Sequence, residues 1–165
     1  MRVAILTISD RAAAGTREDS SGENIREIVL AQGWEVSRRA IIPDDFDTIR
    51  ATLASWADEL IADVILTTGG TGFAPRDVTP EATRAVIERE APGLPEAMRA
   101  ASLSVTKHAM LSRQAAGIRG QTLIVNLPGN PKAVRELLDV ILPVLPHAVE
   151  LLQGDPAAER GHRTL

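Results

Sequence analysis

The chain has 165 residues, 44% apolar and 24% charged, with a formal net charge of −4, the profile of one soluble globular domain large enough to bury a core unaided. The absence of cysteine excludes disulfides, thiolate metal sites and a cysteine nucleophile together. No apolar run approaches the ~20 residues of a membrane helix, and no basic stretch with stacking aromatics points to nucleic acid, so neither is expected as a partner.

Residues 3–9 open as an apolar, β-branched strand. Val3–Leu6 is too short for a secretory leader and Ser9-Asp10-Arg11 follows at once, so a cytoplasmic protein is expected. Residues 10–20 are small, polar and charged and read as a mobile loop. Ser20-Ser21-Gly22-Glu23 offers a capping box, with Ile25, Ile28 and Val29 at helical spacing behind it and Gly33 as the stop. Glu35–Ile42 alternates as a second strand and ends in Pro43-Asp44-Asp45. Ile49, Leu53, Trp56 and Leu60 recur at intervals of three and four, one face of a helix. Val64–Thr67 is a short buried strand. Beyond the glycines, Thr79 caps a helix with Pro80 at its first position, and Leu94, Met98, Ala101 and Val105 mark another at about 94–106. Residues 112–118 and 121–126 form strands joined at Arg119-Gly120 as a small hairpin. Asn130-Pro131 opens a further helix, Pro143 interrupts the pattern, and 144–152 closes the fold. Residues 155–165 read as a flexible tail. The alternation predicts an α/β fold of three α/β/α layers, a mostly parallel central sheet with helices on both faces, in one domain spanning 1–154.

In open α/β sheets ligands sit outside the carboxyl ends of the strands. Four segments bring polar or glycine-rich residues there: Ser9-Asp10-Arg11, Pro43-Asp44-Asp45, Thr68-Gly69-Gly70-Thr71-Gly72 and Asn126-Leu127-Pro128-Gly129-Asn130. The glycine loop is the strongest signal. Its glycines let backbone N–H groups approach an anion, Thr68 and Thr71 add hydroxyls, and Arg76 offers a cation for a phosphate. It lacks the endings of a Walker loop and the spacing of a dinucleotide fingerprint, and a plain tight turn is the ordinary alternative. Asp77 suits Mg²⁺ held between nucleotide phosphates, or simply complements a helix N-terminus. Asp44 and Asp45 offer a second carboxylate for such a metal, or a turn and a helix cap. Pro128-Gly129 presents N–H groups at a helix start to a nucleotide, or only introduces the Asn130 cap. Ser112-Arg113-Gln114 begins a strand, for which edge polarity is the plain account. His108, His147 and His162 lack metal-ligand spacing, and Trp34 and Trp56 read as packing residues.

Several stretches together resemble the MogA/MoaB family over residues 3–153, with the gephyrin and plant G domains especially close. They are Leu6-Thr7-Ile8-Ser9-Asp10, Thr67–Gly72 with Arg76–Ala82, Leu111-Ser112-Arg113 with Gly117–Gly120, and Asn126–Pro131. The resemblance implies molybdopterin adenylyltransferase activity in molybdenum-cofactor synthesis, in which ATP and molybdopterin give adenylyl-molybdopterin and pyrophosphate with Mg²⁺ required. It implies a homotrimer with one site per subunit; a molybdenum insertase is the candidate partner, and whether it accepts the product is left open by the sequence. It places the catalytic, metal-holding acids on Asp44 and Asp77. Nucleotide contacts fall on Gly69, Gly70, Thr71, Gly72, Arg76, Asn126, Pro128 and Gly129, and pterin contacts on Ser9, Asp10, Ser21, Ser112 and Arg113. Two other functions stay open on the same fold. A non-catalytic molybdopterin-binding scaffold would need neither aspartate, and a hydrolase of nucleotide pyrophosphates would use water and no pterin.

Overall fold

Strand β1 (Arg2–Ile8) sends Val3 and Ile5 to one side and Ala4, Leu6 and Ile8 to the other, and all five are buried. A strand apolar on both faces must be covered on both, and the rest of the chain supplies the covers. The protein is described by a computed structural model over residues 1–156, so most of the expected tail lies outside the described residues. The other strands are β2 (Glu35–Ile42), β3 (Val64–Thr68), β4 (Arg89–Glu90), β5 (Ala116–Arg119) and β6 (Thr122–Leu127). They form one sheet in the order β2-β1-β3-β6-β5-β4. The first four in that order are mutually parallel. β5 turns back against β6 as the expected hairpin, and β4 pairs antiparallel with β5.

On one face, helices α2 (Ser20–Ala31), α5 (Gly93–Leu103), α6 (Pro131–Ile141) and α7 (Leu145–Leu152) bury Ile25, Val29, Met98, Val134, Leu138 and Val149 against the sheet. On the other, α3 (Phe46–Asp58) and α4 (Thr79–Arg84) bury Ile49, Leu53, Trp56 and Ala82. The layering is the expected α/β/α, with a mostly parallel sheet.

Local departures have local causes. Residues 10–20 are not all loop. Ser9 accepts from the Ala12 N–H and starts a single-turn helix, α1 (Asp10–Ala13). The cap of α2 is Asp19, whose carboxylate accepts from Gly22 N–H at 2.8 Å, while Glu23 turns to Arg26 and Arg39 instead of back to the helix start. Leu60 lies beyond the end of α3 at φ 52° and is half exposed. Thr79 is no cap: its buried hydroxyl donates to Gly69 O at 2.9 Å. α5 stops at Leu103, leaving Val105 exposed. A 3₁₀ turn at Lys107–Leu111 then leads into an extended stretch, so β5 starts at Ala116 and not at 112.

Candidate active site

The ends of β1, β2, β3 and β6 meet around one cavity of about 730 Å³, within the range of small-ligand sites. Three backbone constraints shape it. Gly69 sits at φ +102°, and a Cβ there would lie 2.1 Å from Ile8 O. Its N–H donates to Leu127 O at 3.3 Å. Gly70 is at φ +63°, where a Cβ would fall 2.3 Å from Thr79 Oγ1. The loop thus presses on two neighbouring segments in a backbone conformation that only glycine adopts without strain. Thr68 Oγ1 donates to Pro128 O at 2.7 Å, tying the loop to the turn after β6.

Held this way, the N–H groups of Gly70, Thr71 and Gly72 have no acceptor among the described residues. All three residues line the cavity. Successive unpaired N–H groups of this kind form an anion-binding concavity.

The carboxylates surround it. Asp44 Oδ2 accepts from Asp10 N–H at 2.8 Å, and Asp10 Oδ1 accepts from Asp44 N–H at 3.0 Å, a reciprocal clasp between the ends of β1 and β2. Burial pushes the Asp44 carboxyl above the usual carboxylate range. The Asp10 and Asp77 charges push the same way, while the Asp10 N–H and the Arg76 guanidinium oppose them. Asp45, next along, is the cap of α3 and accepts from Thr48 N–H and Oγ1. Asp45 therefore takes the capping role that was open to both, and Asp44 faces the cavity. Asp77 accepts from Ala74 N–H at 2.9 Å and lines the cavity with Asp44.

The lining carries Asp10, Glu18, Asp19, Asp44 and Asp77 against Arg11, Arg17 and Arg76. A polyanion entering an acidic rim needs a cation with it. Asp44 and Asp77 are hard oxygen donors, the kind Mg²⁺ takes, and Mg²⁺ ordinarily completes its shell from phosphate oxygens and water. No group of three or more His, Asp or Glu side chains gathers as a metal site among the described residues, so these two carboxylates fit a shared phosphate–metal site and not an all-protein cage.

Ser9, Asp10, Ser21, Gly69, Gly70, Thr71, Gly72, Arg76, Pro128 and Gly129 all line this cavity with the two aspartates. Three expected residues do not. Asn126 is fully buried in β6. Its Nδ2 donates to Thr67 Oγ1 and Thr83 Oγ1, and its Oδ1 accepts from Ala115 N–H, so it braces the sheet and touches no ligand space. Ser112 Oγ donates to Gln114 Oε1 at 2.6 Å, away from the main cavity. Arg113 faces a second, smaller hollow beside Phe73, Val78 and Glu81, which meets the first at Asp77.

Residues 4–147 match the family described as a probable molybdopterin binding domain. The chain belongs to this family. The molybdopterin adenylyltransferase of Helicobacter pylori strain J99 is 44% identical, over 94% of this chain and 89% of its own length. That of Escherichia coli K12 is 41% identical, over 93% and 86%. The crystal structure of the molybdopterin biosynthesis enzyme MoaB from Thermus thermophilus superimposes with a TM-score of 0.87 at 52% identity, covering 94% of this chain and 98% of that one. The likeness to MogA/MoaB proteins seen in the motifs is thus a family relationship.

Beyond the expected residues, Thr7 at the end of β1 and Arg17, Glu18, Asp19 and Ser20 before and at the start of α2 also line the main cavity. Small polar and charged residues give the 10–20 stretch no periodic signal that would mark Arg17–Ser20 as site residues, and Thr7 sits inside an otherwise apolar strand. The available signal was an aspartate directly before Ser-Ser-Gly, since aspartate is as good an N-cap as serine. Here the Asp19 carboxylate also accepts from Thr7 Oγ1 at 2.8 Å, which draws the start of α2 onto β1.

Proposed function

We propose that this protein is a molybdopterin adenylyltransferase, joining AMP from ATP to the terminal phosphate of molybdopterin with release of pyrophosphate. One observation carries the reading: three acceptor-free N–H groups, Gly70 to Thr71 to Gly72, share a cavity with Asp44 and Asp77. The kinship with adenylyltransferases supports the choice of reaction.

The chemistry asks for little acid–base work. A phosphate monoester has its second pKa near ~6 and is mostly dianionic at neutral pH, so the nucleophile needs no base. Its oxygen attacks the α-phosphorus in line, the new P–O bond forming as the bond to pyrophosphate breaks. The protein must hold two anions together and receive the charge that develops on the departing pyrophosphate. In this reading the Gly70–Gly72 N–H groups and Arg76 take the nucleotide phosphates. Pro128 and Gly129 close the wall beside the nucleotide, and Ser9, Asp10 and Ser21 receive the pterin phosphate end. Asp44 and Asp77 would hold Mg²⁺, which supplies charge neutralisation to the phosphates when bound.

The reading extends to a cytoplasmic homotrimer that passes its product to a molybdenum insertase. Self-association is supported by Leu103, Val105, Met110 and Leu111, large apolar side chains left exposed within residues 103–111. Incubation with ATP, Mg²⁺ and molybdopterin, each omitted in turn, tests the reaction. AMP transfer should require all three. Nucleotide hydrolysis without the pterin would instead identify a hydrolase, and pterin binding with no turnover would identify a scaffold.

A further inference from the structure

The segment Gly72–Asp77 connects the anion-binding loop to the aspartate that closes the site, and one side chain grips both its ends. Arg113 Nε donates to Gly72 O at 2.7 Å, and its Nη2 donates to Asp77 O. Its Nη1 pairs with the Glu81 carboxylate on α4, and its own N–H donates to Thr71 O at 3.0 Å. Three of the five guanidinium N–H donors are thereby committed to the protein. Within the segment, Ala74 N–H donates to Asp77 Oδ2 at 2.9 Å and Asp77 N–H to Ala74 O at 2.8 Å. The Asp77 carboxylate is therefore aimed by its own small loop, and that loop is closed by Arg113. On the far side the chain continues into Gln114, which is buried and donates from Nε2 to Asn126 O, so the clamp is anchored in the sheet.

We infer that Arg113 is a positioning residue, whose guanidinium fixes the distance and direction between the Gly70–Gly72 N–H groups and the Asp77 carboxylate. The planar fork is essential to this role. It spans two carbonyls and a carboxylate at once, which the single ammonium of lysine does not. Misplacing a reacting group by about an ångström costs on the order of 100-fold in rate. The consequence for catalysis rests on the adenylyltransferase reading, whereas the consequence for the loop does not.

The test uses R113A and R113K in the full chain with two readouts. In AMP transfer, R113A should lower kcat about 100-fold with KM for ATP and for molybdopterin within about threefold of wild type, a pattern that follows from misplacement. R113K should recover less than about a tenth of the lost rate, because it restores charge without the fork. In ligand-free hydrogen exchange, the Ala74 and Asp77 amides should exchange at least about tenfold faster in both variants, while amides of α6 are unchanged. A raised KM for molybdopterin with kcat retained would mean that Arg113 contacts the pterin, and would overturn the inference. Full rescue by R113K, or unchanged exchange at Ala74 and Asp77, would also overturn it. If the wild-type protein transfers no AMP, the functional reading fails and the exchange result alone decides the role of Arg113.

Discussion

At the scale of single residues, ionising Asp44 works against folding. Its folded pKa is raised, by burial first and then by Asp10 and Asp77, so the native state holds this proton more tightly than the unfolded chain. The stability it contributes is present in full below the ordinary carboxylate range and is lost as pH rises through its raised folded value. Asp44→Asn removes that titration, and the amide oxygen can still accept from Asp10 N–H. The variant should match or exceed wild-type Tm at neutral pH, lose the downward step in stability across the window, and still lose most AMP transfer. Thermal melts from pH 3 to 8 alongside activity assays check the combination. Asp77→Asn should likewise keep the fold and molybdopterin binding while adenylylation drops about 100-fold or more; wild-type turnover in that variant would sink the assignment. Gly69→Ala meets a different obstacle. It combines φ +102° with a Cβ 2.1 Å from Ile8 O, and should cost at least about 1–3 kcal/mol by urea denaturation.

At the scale of elements, α2 shows two tendencies in conflict. Alanine in place of a helical glycine ordinarily gains about 1 kcal/mol. At Gly22 the added Cβ would lie 2.1 Å from Asp19 Oδ2 and 2.5 Å from Thr7 Oγ1, dislodging the carboxylate that caps the helix. Loss of such a cap costs about 0.5–2 kcal/mol, and the displaced, mostly buried carboxylate adds to that. Gly22→Ala should therefore lower the denaturation midpoint, and an unchanged or raised midpoint would show that Asp19 moves without cost. The same helix shows what was legible in the sequence. Its apolar spacing was plain in Ile25 and Val29, as was that of α3 in Ile49, Leu53 and Trp56, because periodic burial leaves a pattern. Its cap is not legible in the same way, because Asp19, Ser20 and Ser21 all qualify chemically and tertiary contact with Thr7 selects Asp19. Leu60 fitted the α3 stripe but falls past the turn that ends the helix. The two-residue β4 is too short for any period.

At the scale of the whole molecule, the cavity could be read from sequence in outline, since strand ends in a parallel sheet converge whatever their side chains. What could not be read was which motif residues face inward. Asn126 belongs to a conspicuous Asn-Leu-Pro-Gly-Asn stretch, yet its strand lies inside the sheet and is covered on both faces, so it is buried where it satisfies Thr67, Thr83 and Ala115. Asn126→Ala should cost about 1–3 kcal/mol in stability while leaving ATP affinity in the folded protein within about threefold, measured by titration calorimetry. Assembly is the remaining test: light scattering should give three times the 17.7 kDa chain mass, and Met110→Glu should shift the population toward monomer. The strand order also governs how the protein is made. β1, made before the other strands of the sheet, lies between β2 and β3, and β3 in turn waits for β6, with Thr68 reaching Pro128 across 60 positions. A nascent chain that stops short of Pro128 has no wall opposite its glycine loop and leaves apolar strand faces bare. Synthesis paused before residue 128 thus yields a species suited to chaperones and without a closed active-site cavity.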